Sequence, residues 1–115
     1  MATFTKVKLS GSTNGRGIAV AATATLGTTI HTAHATALDE IWLYAANIHS
    51  SAVTLTVEFG GVTTTSDLIQ QSIAATPSGL VLVCAGLLVT GSVVVTAFAG
   101  TASKIELFGF VNRIA

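Results

Sequence analysis

No Asp, Glu, Lys or Arg occurs between Asp67 and Lys104, and residues 79–99 inside that gap are strongly apolar. A run of this kind fits a lipid bilayer or a set of packed strands. A membrane-spanning helix needs about 20 consecutive apolar residues, so length alone nominates one. The punctuation argues otherwise. Gly86, Gly91 and Ser92 interrupt the run, and Thr90-Gly91-Ser92 reads as a turn. The pieces Leu80–Cys84 and Val93–Phe98 have strand length and are rich in β-branched residues. The flanks carry no Lys/Arg cluster and no aromatic belt of the kind found at a bilayer interface. The run is therefore read as strands.

The same rhythm extends along the chain. Phe4–Leu9 alternates around Lys6 and Lys8, and residues 10–17 (GSTNGRG after Ser10) form a loop by composition. Ile18–Thr25 and Thr28–Thr32 are weaker strand signals, and the Ala-rich stretch 33–38 precedes Asp39 as a loop or short turn. Glu40–Ile48 is apolar on both faces, with Trp42, Tyr44, Ala46 and Ile48 opposite Ile41, Leu43 and Ala45. After the turn His49-Ser50-Ser51, Val53, Leu55, Val57 and Phe59 point inward, and Thr54, Thr56 and Glu58 point outward. Thr63–Ser66 is a polar loop, Leu68–Ile73 a strand, and Thr76-Pro77-Ser78-Gly79 a turn. Leu87–Val89 and Ile105–Ile114 complete the set. The 115 residues suffice for one domain. The reading is all-β: an antiparallel β-sandwich or jelly roll of about eight short strands. Residues 1–17 form a basic N-terminal arm or strand with its loop, and residues 18–115 a single β-sandwich domain.

Charged residues make up 9% of the chain, against about 25% in ordinary domains. Hydroxyls take their place: there are 18 Thr and 9 Ser. A hydroxylated sheet surface lacks the charge repulsion that holds monomers apart, so self-association or a partner is expected. The net charge is zero but uneven. Residues 1–38 hold Lys6, Lys8 and Arg16 with no acid, whereas residues 39–103 hold Asp39, Glu40, Glu58 and Asp67 with no base. Three dispersed cations do not make the clustered basic patch of a nucleic-acid binder. The start of the chain lacks the apolar core of a signal peptide, which implies a protein made and kept in a cytoplasm until assembly or release.

The chain carries no catalytic pattern. There is no G-x-S-x-G elbow. The one cysteine, Cys84, sits in an apolar run and reads as a buried, inert thiol. Asp39 and Glu40 are neighbours that a strand would point apart, a poor acid/base pair. His31 and His34 have an H-x-x-H spacing, but a strand sends i and i+3 to opposite faces, which spoils a zinc site. Residues 11–17 lack the order of a phosphate-binding loop and precede a strand, not a helix. The expectation is a non-enzymatic protein without metal or cofactor. Trp42 and Tyr44 share one face of a strand, which suits core or subunit packing first and sugar stacking second.

With these residues in view, a likeness emerges. The opening Asp39-Glu40-Ile41-Trp42-Leu43, the strand Thr54-Leu55-Thr56-Val57-Glu58-Phe59-Gly60-Gly61, the strand Gly79-Leu80-Val81-Leu82-Val83 and the ending Gly109-Phe110-Val111-Asn112-Arg113-Ile114 carry it. Across about residues 38–115 the sequence resembles small virion structural proteins of tailed bacteriophages, especially those of aquatic phages. The resemblance implies a capsid decoration (cement) protein, β-rich and often trimeric, that binds and stabilises the assembled capsid; neck, tail or baseplate positions are the alternative. It implies the major capsid protein and further copies of the chain as partners, and the capsid surface as location. Independently, the basic and aromatic residues mark candidate contact positions: Phe4, Lys6, Lys8 and Arg16 near the N-terminus. Trp42, Tyr44, Phe108, Phe110 and Arg113 are their counterparts in the body.

Overall fold

The computed structural model describes residues 2–64 and 66–115, so Thr65 of the expected polar loop lies outside the described residues. Nine strands follow in order: β1 (Phe4–Lys8), β2 (Ile18–Ala19), β3 (Thr28–Thr32), β4 (Leu38–Asn47), β5 (Val53–Phe59), β6 (Leu68–Ile73), β7 (Val81–Val89), β8 (Val94–Ala99) and β9 (Ile105–Ile114). All pairings are antiparallel. The first sheet runs β1-β9-β4-β7, with β2 pairing β9 beyond β1, and the second runs β3-β8-β5-β6. The two sheets enclose one core, so the chain is an antiparallel β-sandwich. No helix among the described residues is long and apolar enough to cross a membrane.

Period-two patterning builds the core. Ile41, Leu43 and Ala45 of β4 and Ile105, Leu107 and Val111 of β9 face inward from the first sheet. Val53, Leu55 and Val57 of β5 and Val95, Ala97 and Ala99 of β8 answer from the second. Each fully buried large aliphatic side chain contributes about 1.5–3 kcal/mol. Asn47 closes the turn after β4. Its amide nitrogen donates to the carbonyls of Ser51 (3.0 Å) and Ile73 (3.1 Å), and its oxygen accepts from the His49 N–H (2.8 Å). At the other end of the first sheet, Thr3 and Ala115 exchange two backbone hydrogen bonds, which sets the two ends of β1 and β9 side by side.

Three expectations needed correction. The strand expected over Ile18–Thr25 ends at Ala19. Residues 20–27 then cross to the second sheet, where the Ala22 carbonyl accepts the Ala99 N–H. Alternating Ala and Thr offer little side-chain packing to hold a strand in register. The same segment explains the second correction: Glu58, expected outward, is 1% exposed. It does point away from the core, but the segment around Thr25 and Gly27 reaches over it. The hydroxyls of Thr25 and Thr96 (both 2.6 Å) and the N–H of Gly27 (2.7 Å) donate to its carboxylate. Burial alone would raise its pKa; the hydrogen bonds from Thr25, Thr96 and Gly27 outweigh that and lower it. Thr56, also expected outward, is buried beside it and accepts from Gln70 (3.2 Å). Third, Leu80–Cys84 and Leu87–Val89 are not two strands. Gly86, with φ +72°, is absorbed as a bulge within β7.

Glu58 therefore fastens residues 25–27 to the second sheet. Glu58→Ala should cost at least about 2 kcal/mol in urea unfolding, because two hydroxyls and an N–H lose their acceptor. Amide exchange over residues 22–27 should accelerate in the same variant; unchanged exchange there would show that the segment is held by something else.

Candidate functional site

The outward face of the first sheet gathers most of the contact candidates. On β4, Glu40, Trp42 and Tyr44 alternate with the buried Asp39, Ile41 and Leu43. On β9, Phe108, Phe110 and Asn112 share that outer side. The β4–β9 register places Trp42 opposite Phe110, Tyr44 opposite Phe108 and Glu40 opposite Asn112. β1 adds a column, with Lys6 opposite Asn112 and Lys8 opposite Phe110. Val7 packs on the core, so Phe4, Lys6 and Lys8 face out, and Phe4 is 71% exposed. Leu80, Leu82 and Leu88, in and beside β7, extend the exposed apolar surface along the opposite edge, with Leu82 opposite Tyr44 and Leu88 opposite Glu40.

The centre of this face is ordered by specific contacts. The Trp42 and Phe110 rings lie 6.2 Å apart and within 9° of parallel, an offset stack. The Lys6 ammonium stands 4.9 Å from the Phe110 ring centre, a cation–π contact. The indole N–H of Trp42 (2.7 Å) and the amide of Asn112 (3.0 Å) both donate to one oxygen of Glu40. Those bonds draw the Glu40 carboxyl below its ordinary range. Two glycines seat the aromatics. A Cβ on Gly86 would lie 3.0 Å from the Trp42 ring, and one on Gly17 would lie 2.7 Å from the Phe108 ring.

Arg16 borders the face from the loop between β1 and β2. Asn14 and Gly15 have positive φ (56° and 79°), and the Arg16 N–H donates to the Thr13 carbonyl (3.1 Å). That is a type I′ turn, the geometry that Asn-Gly favours. It places Thr13 and Arg16 beside Glu106 and Phe108 around a shallow depression of about 460 Å³. Among the described residues, Arg16 and Glu106 form no ion pair.

Arg113 is the candidate that departs from this face. Its position on β9 alternates with Asn112, and its guanidinium grips Asp39 in a fork, with Nε to Oδ1 at 2.8 Å and Nη2 to Oδ2 at 3.0 Å. Asp39 is fully buried and also accepts from His31 Nε2 (2.8 Å) and the His34 N–H (3.1 Å). The Ser10 N–H donates to His31 Nδ1 (3.0 Å), which puts the His31 proton on Nε2 and commits both ring nitrogens. His34 turns its Nδ1 to the N–H groups of Thr36 and Ala37 (3.1 and 2.9 Å). Asp39 and Glu40 point to opposite faces, as strand alternation requires. Among the described residues, no three His, Cys, Asp or Glu side chains converge on a metal position. Cys84 is buried against the Ile41 carbonyl (3.3 Å), and burial pushes its thiol pKa up. The Asp39 cluster is thus a structural lock between β3, β4 and β9, a role invisible in the H-x-x-H spacing because Arg113 comes from the far end of the chain.

Comparison with protein-family models, with curated proteins and with solved structures finds no match to this chain.

Two measurements check the geometry. Burial would raise the Asp39 pKa, but bonds from Arg113, His31 and His34 lower it from an ordinary 3.8 to about 2. Folding therefore favours the ionised form. Its contribution, about 2 kcal/mol, is complete above about pH 4 and disappears as pH falls toward 2. Unfolding free energies measured across that window should fall accordingly, and Asp39→Asn should be less stable at pH 7 and flatter below pH 4. Gly86→Ala should cost about 1–2 kcal/mol, since L-residues resist the left-handed region, and should shift Trp42 fluorescence; an unshifted spectrum would mean the indole is not seated there.

Proposed function

We propose that the chain is a non-enzymatic structural protein of a tailed-phage virion, a decoration (cement) protein that binds and stabilises the assembled capsid. The observation that carries this reading is the outer face of the first sheet. It presents Trp42, Phe110, Phe108 and Tyr44 between a lysine-bearing edge and a leucine-bearing edge. Aromatic anchors surrounded by weaker contacts are the anatomy of a binding hot spot. A ligand that binds only the assembled shell stabilises that shell by mass action. The strand order supports the same reading. If β1 and β2 count as one interrupted strand, each sheet has four strands, in the orders 1-9-4-7 and 3-8-5-6. That order fits the jelly-roll reading of the sandwich, and jelly rolls are an architecture viral capsid domains use. The likeness of residues 38–115 to phage virion proteins is the third support.

A second reading draws on the depression beside Phe108. An aromatic ring flanked by an unpaired guanidinium and carboxylate can stack a sugar ring and bond its hydroxyls. The reading is a carbohydrate-binding sandwich in which Trp42 and Tyr44 extend the platform.

Purified protein added to matched phage capsids that lack it should bind in many copies per particle and raise their thermal stability. Trp42→Ala with Phe110→Ala should weaken binding about tenfold or more while leaving the β-rich circular dichroism spectrum intact. A handful of copies at one vertex would move the protein to the neck or tail. Loss of glycan binding in Arg16→Ala, with no capsid affinity in the wild type, would favour the second reading.

A further inference from the structure

A sandwich of two open sheets has four edges, and edge strands invite pairing unless something blunts them. Three of the four are blunted here. The β1–β2 edge carries Lys6 and Lys8 and is broken by the loop over residues 10–17. The β7 edge shifts register twice against β4, at Gly86 and Val83. The β3 edge shifts register between Thr29 and His31 and is covered as well. There the Gly11 N–H donates to the Ile30 carbonyl (2.9 Å), and the Ser10 hydroxyl accepts the Thr32 N–H (2.7 Å). A Cβ on Gly11 would lie 2.7 Å from the Ile30 carbonyl oxygen, so the covering loop lies directly on that edge.

The β6 edge has none of these devices. Leu68-Ile69-Gln70-Gln71-Ser72-Ile73 contains no charge, proline or glycine. It pairs with β5 through six consecutive residues without a register shift. Among the described residues, no backbone hydrogen bond from a loop reaches it, and only the Ile73 carbonyl is taken, by the Asn47 side chain. A straight, neutral, regular edge of this kind is a template for another strand.

We propose that β6 is the self-association surface of this protein, pairing antiparallel with β6 of a second copy across a two-fold axis. The proposal rests on the reading of the chain as a self-associating unit and names where that happens. The sequence of the strand is what selects a second copy. A two-fold perpendicular to the sheet keeps inner faces together, so residues of like parity must meet. With the axis at Gln71, Ile69 meets Ile73 of the other copy, Gln70 meets Ser72, and Gln71 meets itself. Apolar residues oppose apolar ones, and uncharged polar residues oppose uncharged polar ones. Ile69 packs on the core and Ile73 is part of it, so the pairing would bring the isoleucines of the two copies together on that side, with the two Gln71 amides, which share it opposite Leu55, hydrogen-bonding to each other at the axis. The nearest charge, Asp67, would lie opposite Ala75, which places the two Asp67 carboxylates at opposite ends of the ribbon. No like charges meet. The unit so formed is a dimer with one continuous eight-stranded sheet, a symmetry different from the trimer that the likeness to decoration proteins implies.

Light scattering on the full chain tests this. The wild type should run at twice the 11.6 kDa chain mass, and Gln70→Lys combined with Gln71→Lys should return it to once that mass with an unchanged β spectrum. Leu82→Lys on the bulged β7 edge should leave the dimer intact. Hydrogen exchange gives a check free of substitutions: amides of β6 in the wild type should lose protection on dilution, and those of β3 should not. A wild type that stays monomeric at its highest soluble concentration overturns both the proposal and the self-association on which it rests. An oligomer that survives the β6 lysines, or that Leu82→Lys dissociates, keeps self-association and overturns its placement on β6.

Discussion

The pairing of β4 with β9 is the constraint on which the rest of the molecule depends. Both strands are ten residues long, and they match from Leu38 opposite Ile114 to Asn47 opposite Ile105. Side chains alternate strictly, so a slip of one residue would exchange Ile41, Leu43 and Ala45 with Trp42 and Tyr44. The core would open, and the aromatic face would be driven inside. The forked bond between Arg113 and Asp39 guards against that slip, because it forms only when these two residues stand opposite one another. They lie 74 positions apart in the chain. Forming this pair closes most of the polypeptide into a loop, which is the topology of slow-folding β proteins.

The low charge of the chain understates how uncharged its surface is. Of the five acidic residues, Asp39 and Glu58 are buried and hydrogen-bonded. Glu40 is tied to Trp42 and Asn112. Arg113 is occupied by Asp39. Solvent therefore meets few ions and many hydroxyls, together with the leucines along β7. Coulombic repulsion between copies is weak on such a surface, and what limits indiscriminate pairing is the shape of the edges.

Much of this was legible in the residues, and the failures have physical causes. β3 and β9 fall where β-branched and aromatic alternation places them. The inward set Val53, Leu55 and Val57 is equally plain. Glu58 was misread because alternation reports which side of a sheet a residue takes, not whether that side is later covered. Gly86 was misread because a glycine that ends a strand and a glycine that bulges one look alike until the partner strand is known. The aromatic face was half legible: Trp42 and Tyr44 announce a shared side, but only register unites them with Phe108, Phe110 and Lys6. Arg113 carried no local sign of its partner, since a strand position one residue from Asn112 turns to the opposite face.

The hydrogen-bonded meeting of Thr3 and Ala115 has a consequence for handling the protein. Residues 3 and 115 sit where a hairpin turn could join them, so β1 and β9 could become one continuous ribbon. The polypeptide could then be reopened at the exposed turn around Ser50 and Ser51, whose neighbouring strands β4 and β5 lie in different sheets. A circular permutant of that kind keeps every native strand pair while moving both ends away from the aromatic face, so a cargo or label fused at Ser50 or Ser51 leaves that face clear.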